Sequence, residues 1–132
     1  MLTFATEILD EVQEGRLTFY KLIIDGRCLY DEFCDEVEDN VQSKKHLNVI
    51  RTYMNLLAQS DCLLPKAKFN SIKKGGDIIG YEFKKDSLRV YVIKETPDVY
   101  VVLGGYKNTQ KKDIERFAKI EKAFRYYNNS NR

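Results

Sequence analysis

One histidine and three cysteines are all that this 132-residue chain offers by way of soft metal ligands and nucleophiles. Cys28, Cys34 and Cys62 are odd in number, scattered and without a CxxC pair, which argues against a zinc site or a disulfide framework and for small apolar side chains in the core. The lone His46 rules out, within a single chain, any mechanism that needs two histidines, and its place in a helical stretch away from the strands marks it as structural or surface. Long apolar runs are also missing: the longest, such as Val99–Leu103, fall far short of the roughly 18 residues a membrane span requires. The first residues carry Glu7, Asp10 and Glu11 where a signal peptide would be basic and then apolar, so the expected location is cytoplasmic. No repeat, linker or low-complexity segment divides the chain, and residues 1–132 are expected to form one domain with one core.

What is present is ordinary in amount and uneven in placement. Hydrophobic residues at 43% and charged residues at 32% fit a globular protein, not a disordered or fibrous one. The net charge of +2 divides into −5 over residues 1–66 and +7 over residues 67–132. Such asymmetry fits either an anionic partner for the second half or two solvated faces that attract one another within the fold.

Leu2, Ala5, Ile8, Leu9 and Val12 recur at spacings of three and four, predicting a short first helix within residues 1–15, stopped by Gly15. Leu17–Asp25 reads as a strand closed by Asp25-Gly26. Leu29, Tyr30, Phe33, Cys34 and Val37 form the apolar stripe of a helix whose other positions, from Asp31 to Asp39, are acidic. A further helix spans about Lys44 to Gln59, making a helical hairpin. After Pro65 the period turns to alternation: Ile78–Phe83, Leu88–Lys94 and Asp98–Leu103 are strands joined by links too short for anything but antiparallel pairing. Ile114, Phe117, Ala118, Phe124 and Tyr127 mark a last helix, with 128–132 as a frayed tail. The expected fold is α+β: an antiparallel meander of three to four strands, with an N-terminal helical hairpin and a C-terminal helix packed on one face, the other face open to solvent or ligand.

Alternation places Arg89, Tyr91 and Ile93 on one side of their strand. Lys84 and Lys85 lie just before it, Lys73 and Lys74 precede the meander, and Tyr106, Lys107, Lys111 and Lys112 follow it. Cations interleaved with tyrosines suit a nucleic-acid surface, with charge for phosphates and rings for unpaired bases. The same residues also suit strand packing and soluble turns.

Residues 69–119 resemble the core of RelE/HigB-like toxins of type II toxin and antitoxin pairs, in particular the phage-derived Gp49-like branch. The resemblance rests on Tyr81-Glu82-Phe83-Lys84, Leu88-Arg89-Val90-Tyr91 and Tyr106-Lys107-Asn108-Thr109-Gln110-Lys111; the strand and hairpin over Leu17–Gln59 follow that superfamily's order. It implies a ribosome-dependent, metal-independent and cofactor-free endoribonuclease that cuts messenger RNA and is neutralised by a cognate antitoxin, expected to be a helix-turn-helix protein. A 2′-hydroxyl would attack the adjacent phosphate while a base, an acid and cations serve the transfer. By position, the resemblance makes Arg89 the phosphate-binding and transition-state group, Lys84 with Lys85 its electrostatic neighbours, and Lys107 a third catalytic cation. RNA contacts would fall to Lys73, Lys74, Lys85, Tyr91, Tyr106, Lys111 and Lys112. The acidic helix Asp31–Asp39 would mark the side away from RNA. Glu82 stands where some relatives have lysine and Asn108 replaces a second basic residue, which leaves room for a relative that binds antitoxin or RNA without cutting, or for a gyrase inhibitor of the related type. Tyr126 and Tyr127 read as packing residues.

Overall fold

The computed structural model describes residues 1–60 and 64–130. Its first departure from the sequence reading is at the start of the chain. Phe4–Ile8 is a strand, β1, antiparallel to β2 (Thr18–Ile24), with Phe4 opposite Ile24 and Ile8 opposite Tyr20. The three-and-four spacing of Leu2 to Val12 is real, but a helix this short is marginal in water, and antiparallel pairing with β2 gives alternate residues of the edge strand a backbone partner. Leu9 and Val12, in the connection, turn into the core, whereas Ala5 and Ile8 are exposed.

Helices α1 (Leu29–Glu38) and α2 (Val41–Ser60) follow. The Asn40 side chain accepts from the Ser43 backbone N–H at 2.9 Å, capping α2 and separating the two helices. Then come β3 (Phe69–Lys74), β4 (Asp77–Lys85), β5 (Leu88–Glu95) and β6 (Asp98–Tyr106), a single 3-10 turn at Lys107–Thr109, and α3 (Gln110–Ser130). Helix α3 continues through Asn128, so the tail expected to fray is helical as far as Ser130. Cys62, expected in the core, lies outside the described residues.

The six strands form one sheet in the order β1-β2-β6-β5-β4-β3. Every neighbouring pair is antiparallel except β2 and β6, which run parallel from Thr18 opposite Asp98 to Lys21 opposite Val101. The helices divide between the faces. Tyr30, Phe33 and Val37 of α1 and Leu47, Ile50 and Met54 of α2 pack with Phe19, Phe83, Val90, Val92 and Val101 on one face. Phe117, Ile120 and Phe124 of α3 pack with Leu22, Tyr91, Ile93, Val102 and Leu103 on the other.

The expected fold class is thereby corrected. The chain begins with strands and not with a helical hairpin, the sheet has six strands and one parallel pair, and the face expected to be open is covered by α3. The physical reason is visible in β5, where all six residues from Leu88 to Ile93 are buried. A strand apolar on both sides, apart from Arg89, needs cover on both. Among the described residues no helix is long and apolar enough to cross a membrane.

Candidate functional site at the end of the sheet

The β4–β5 turn, Asp86-Ser87, and the β6–α3 junction lie side by side, because Leu88 is opposite Tyr106 and the Lys107 N–H donates to the Ser87 carbonyl at 2.7 Å. The alternation of β4 divides its two terminal lysines. Lys84, opposite Arg89, is on the α3 side, and Lys85 is on the side of α1 and α2.

Arg89 does not reach solvent as a phosphate ligand would. Its side chain lies on the α3 face, the residue is 7% exposed, and Nη1 donates to the carbonyls of Asp86 at 2.7 Å and Leu88 at 2.8 Å. Its Nε is buried with no hydrogen-bond partner among the described residues. Arg89 therefore holds the turn from inside. Tyr91 is fully buried beneath α3, packed against Phe117, and burial together with the Glu82 and Asp113 carboxylates pushes its phenol well above the ordinary range. It cannot stack on a base. Glu82 is also buried, and Gln110, at the start of α3, donates to both of its carboxylate oxygens at 3.1 and 2.9 Å.

On the other side of the sheet end the structure brings together residues that the sequence reading kept apart. His46, on α2, places Nε2 3.0 Å from the Asp86 carboxylate, and the Lys85 ammonium lies 3.5 Å from the same oxygen. Gln42, one turn earlier on α2, has its amide nitrogen 3.3 Å from that same Nε2, and Nδ1 has no hydrogen-bond partner among the described residues. His46 is thus neither a core filler nor remote from the strands. Its approach to Asp86 could not be read from sequence, since it depends on α2 crossing the end of β4. The one available signal was the i, i+4 spacing of Gln42 and His46.

Beside this pair, Ser87, Tyr106, Lys107 and Asn108 line an open depression of about 610 Å³. Tyr106 leans on Phe33 and donates its hydroxyl to Glu36 at 3.1 Å, and burial with that carboxylate raises its phenol above the usual value. The acidic helix α1 therefore borders the depression instead of lying on a remote side. The remaining expected RNA contacts lie elsewhere. Lys73 and Lys74 are exposed at the β3–β4 turn, about 27 Å along β4 from the Asp86 turn. Lys111 and Lys112 are exposed on the first turn of α3, with Lys112 on the flank facing α1. Of the expected residues, Lys85, Tyr106 and Lys107 gather here, Lys84 and Arg89 sit behind the turn, and Tyr91 is sealed in the core. Tyr126 is 65% exposed, not packed as expected, while Tyr127 rests edge-on against Phe4.

Cys28 and Cys34 are free and half-buried against the first core cluster. Among the described residues no group of three or more His, Cys, Asp or Glu side chains is placed to hold a metal ion. Compared with known proteins, the chain matches no family model, no curated protein and no solved structure.

Proposed function

We propose that this chain is the toxin of a bacterial toxin and antitoxin pair that acts in the cytoplasm by cutting RNA, with the cutting groups at the Asp86 turn. The observation that carries the reading is the His46–Asp86 pair at 3.0 Å beside Lys85 and the depression lined by Tyr106 and Lys107. Imidazole is the side chain that exchanges protons near neutral pH, and a carboxylate on one ring nitrogen fixes the tautomer of the other. With Nε2–H donated to Asp86, Nδ1 keeps a lone pair that can take the proton of a 2′-hydroxyl as it attacks the adjacent phosphate. As the phosphorus–5′-oxygen bond breaks on the opposite side, the departing oxygen takes a proton from water and Nδ1 gives its own proton back to solvent. Lys85 and Lys107 supply the positive charge that the crowded phosphate requires. Arg89 acts one step back, by holding the Asp86 carbonyl and with it the turn.

Charge placement supports an anionic partner. The pairs Lys21–Asp31 and Arg27–Glu32 lie within the acidic first half and Arg125–Glu95 within the basic second half, whereas His46–Asp86 joins the two. A second reading, a protein that grips RNA or an antitoxin without cutting, is favoured by the burial of Arg89. The test is incubation of the full chain with a labelled messenger RNA, alone in chelator and on translating ribosomes in magnesium buffer. Products ending in 2′,3′-cyclic phosphate that vanish in His46→Ala support cleavage at this site. Intact RNA in both conditions, or cutting unchanged in His46→Ala, removes it; retained RNA binding without cutting selects the second reading.

A further inference from the structure

Unlike α1 and α3, helix α2 has no acidic residue: Val41–Ser60 carries Lys44, Lys45, His46 and Arg51 and neither aspartate nor glutamate. Residues 64–76, which lead into β3 and its turn, are likewise without a carboxylate and hold Lys66, Lys68, Lys73 and Lys74. Asp61, between the two stretches, lies outside the described residues.

Contacts join these stretches into a continuous strip that starts at the Asp86 turn. His46 reaches the Asp86 carboxylate at 3.0 Å, and Lys85 reaches the same oxygen at 3.5 Å. The Lys84 N–H donates to the Lys68 carbonyl at 2.8 Å, which lays the turn before β3 against the end of β4. Lys66 belongs to that turn, which the N–H groups of Lys68 and Phe69 close on the Pro65 carbonyl at 2.8 and 3.0 Å. Lys68 then places its ammonium 5.3 Å from the centre of the Tyr53 ring. Tyr53 lies two turns of α2 beyond His46 on the same flank, so the strip returns to where it began.

The charge of this strip is open and positive. Lys66 and Lys68 are exposed and have no ion-pair partner among the described residues, since the Tyr53 ring is neutral. Asp86 is the one carboxylate that these contacts include. Glu82, on β4, is buried on the other side of the sheet and held by Gln110. Two half-buried rings sit among the lysines: Tyr53, and Tyr81, which shares a side of β4 with Lys85 and stacks on Phe69 at 4.9 Å.

We propose that the strip from Lys85 through Tyr53 and Lys68 to Lys66 is a track for a single-stranded polynucleotide, which it holds beside the Asp86 turn. Lysines set around tyrosine rings match what an unpaired strand presents, phosphates and flat bases, whereas a duplex keeps its bases stacked away from such rings. From His46 to Tyr53 the track runs about 10 Å. That is room for about three phosphates at the ~3.4 Å spacing of a stacked strand. As the route by which a substrate reaches His46 the track rests on the RNA-cutting reading; as a binding surface it rests on its own charge and rings.

The probe is a 2′-O-methylated single-stranded oligoribonucleotide, which lacks the attacking hydroxyl and so reports binding without cutting. It is set against its own duplex and against polyglutamate, with binding to the full chain followed by fluorescence anisotropy. Lys66→Glu with Lys68→Glu should weaken single-strand binding at least about tenfold and lower the slope of log affinity against log salt by about 1. The equal charge reversal Lys73→Glu with Lys74→Glu, at the far end of β4 and beyond the ~10 Å screening length of 0.1 M salt, should weaken it less than about threefold. Tyr53→Leu, which keeps an apolar side chain against the core, should weaken it at least about fivefold. Thermal melts establish that the variants fold, and if Tyr53→Leu does not, the two reversals decide. No single-strand binding, equal losses in the two reversals, unchanged binding in a folded Tyr53→Leu, a duplex bound as tightly as the single strand, or polyglutamate binding with the same dependence on Lys66 and Lys68 would each overturn the proposal. The two readings separate cleanly. RNA cutting that needs His46 together with binding indifferent to the Lys66 and Lys68 reversal removes the track alone, whereas binding lost in that reversal from a chain that cuts no RNA keeps the track and removes the cutting.

Discussion

Asp86 sits at φ 51°, in the left-handed backbone region where residues with a Cβ are uncommon and Asp and Asn are enriched. That conformation turns its carboxylate toward His46 while its carbonyl is held by Arg89. Asparagine tolerates the same backbone, so Asp86→Asn should leave the melting temperature near that of the parent. It should also slow RNA cleavage by about 10²- to 10⁴-fold, the usual contribution of positioned acid–base catalysis. Equal cleavage by the Asn variant would show that the carboxylate does not set the His46 tautomer. Arg89 makes a contrasting case. Because its donors serve two carbonyls, Arg89→Ala should lower stability by about 1–3 kcal/mol as read from the urea midpoint, whereas a solvent-facing phosphate ligand would lose activity with stability unchanged.

Strand β6 shows why some elements were legible in the sequence and others were not. The alternation of Val99 and Val101 with Tyr100 marks it as a strand, just as the stripe through Leu29, Phe33 and Val37 marks α1 and that through Phe117 and Phe124 marks α3. Its register changes at the bulge around Val102, and after it the pair Gly104-Gly105 lets α1 and α3 press on the same strand from opposite sides. Read alone, those glycines signal the end of a strand. Their role here is close approach, which is a property of the partners. The cover that α3 gives to Tyr91 and Ile93 was hidden for a related reason: alternation says which side chains share a face but not whether that face is solvated. For the site, Lys85, Tyr106 and Lys107 were legible as basic and aromatic residues near strand ends. His46 was not, because its neighbour Asp86 is forty residues away along the chain. If close approach is what Gly104 provides, Gly104→Ala must displace the Phe33 ring. It should then cost about 1–3 kcal/mol in urea unfolding, the range for forcing an extra group into a packed site. A Gly104→Ala protein as stable as the parent would mean that the helix has room to retreat.

With helices on both faces, the sheet separates two clusters of core residues, and tyrosine hydroxyls are buried in each: that of Tyr30, on α1, in the cluster shared with α2, and that of Tyr91 under α3. Burial raises both phenols well above their ordinary range, and Tyr100, beside Phe124 and Asp98, is pushed up to about 12, again with burial first among the causes. In the unfolded chain each would ionise near pH 10, so above that pH the folded molecule binds more protons than the unfolded one, and stability falls as pH rises. The stabilisation is complete below about pH 10 and is lost as the pH climbs toward the folded values, at up to about 1.4 kcal/mol per pH unit for each phenol held fully protonated. Urea midpoints measured from pH 8 to 12 should therefore be flat to about 10 and then drop, with the share of tyrosinate absorbance that belongs to Tyr30, Tyr91 and Tyr100 appearing together with unfolding and not ahead of it. Tyr91→Phe separates this account from general charge repulsion. Its hydroxyl has no partner among the described residues, so the variant should be at least as stable at pH 8 and should lose stability less steeply above pH 10. A Tyr91→Phe protein with the parent's alkaline slope would assign the fall to the rising negative charge of the whole surface.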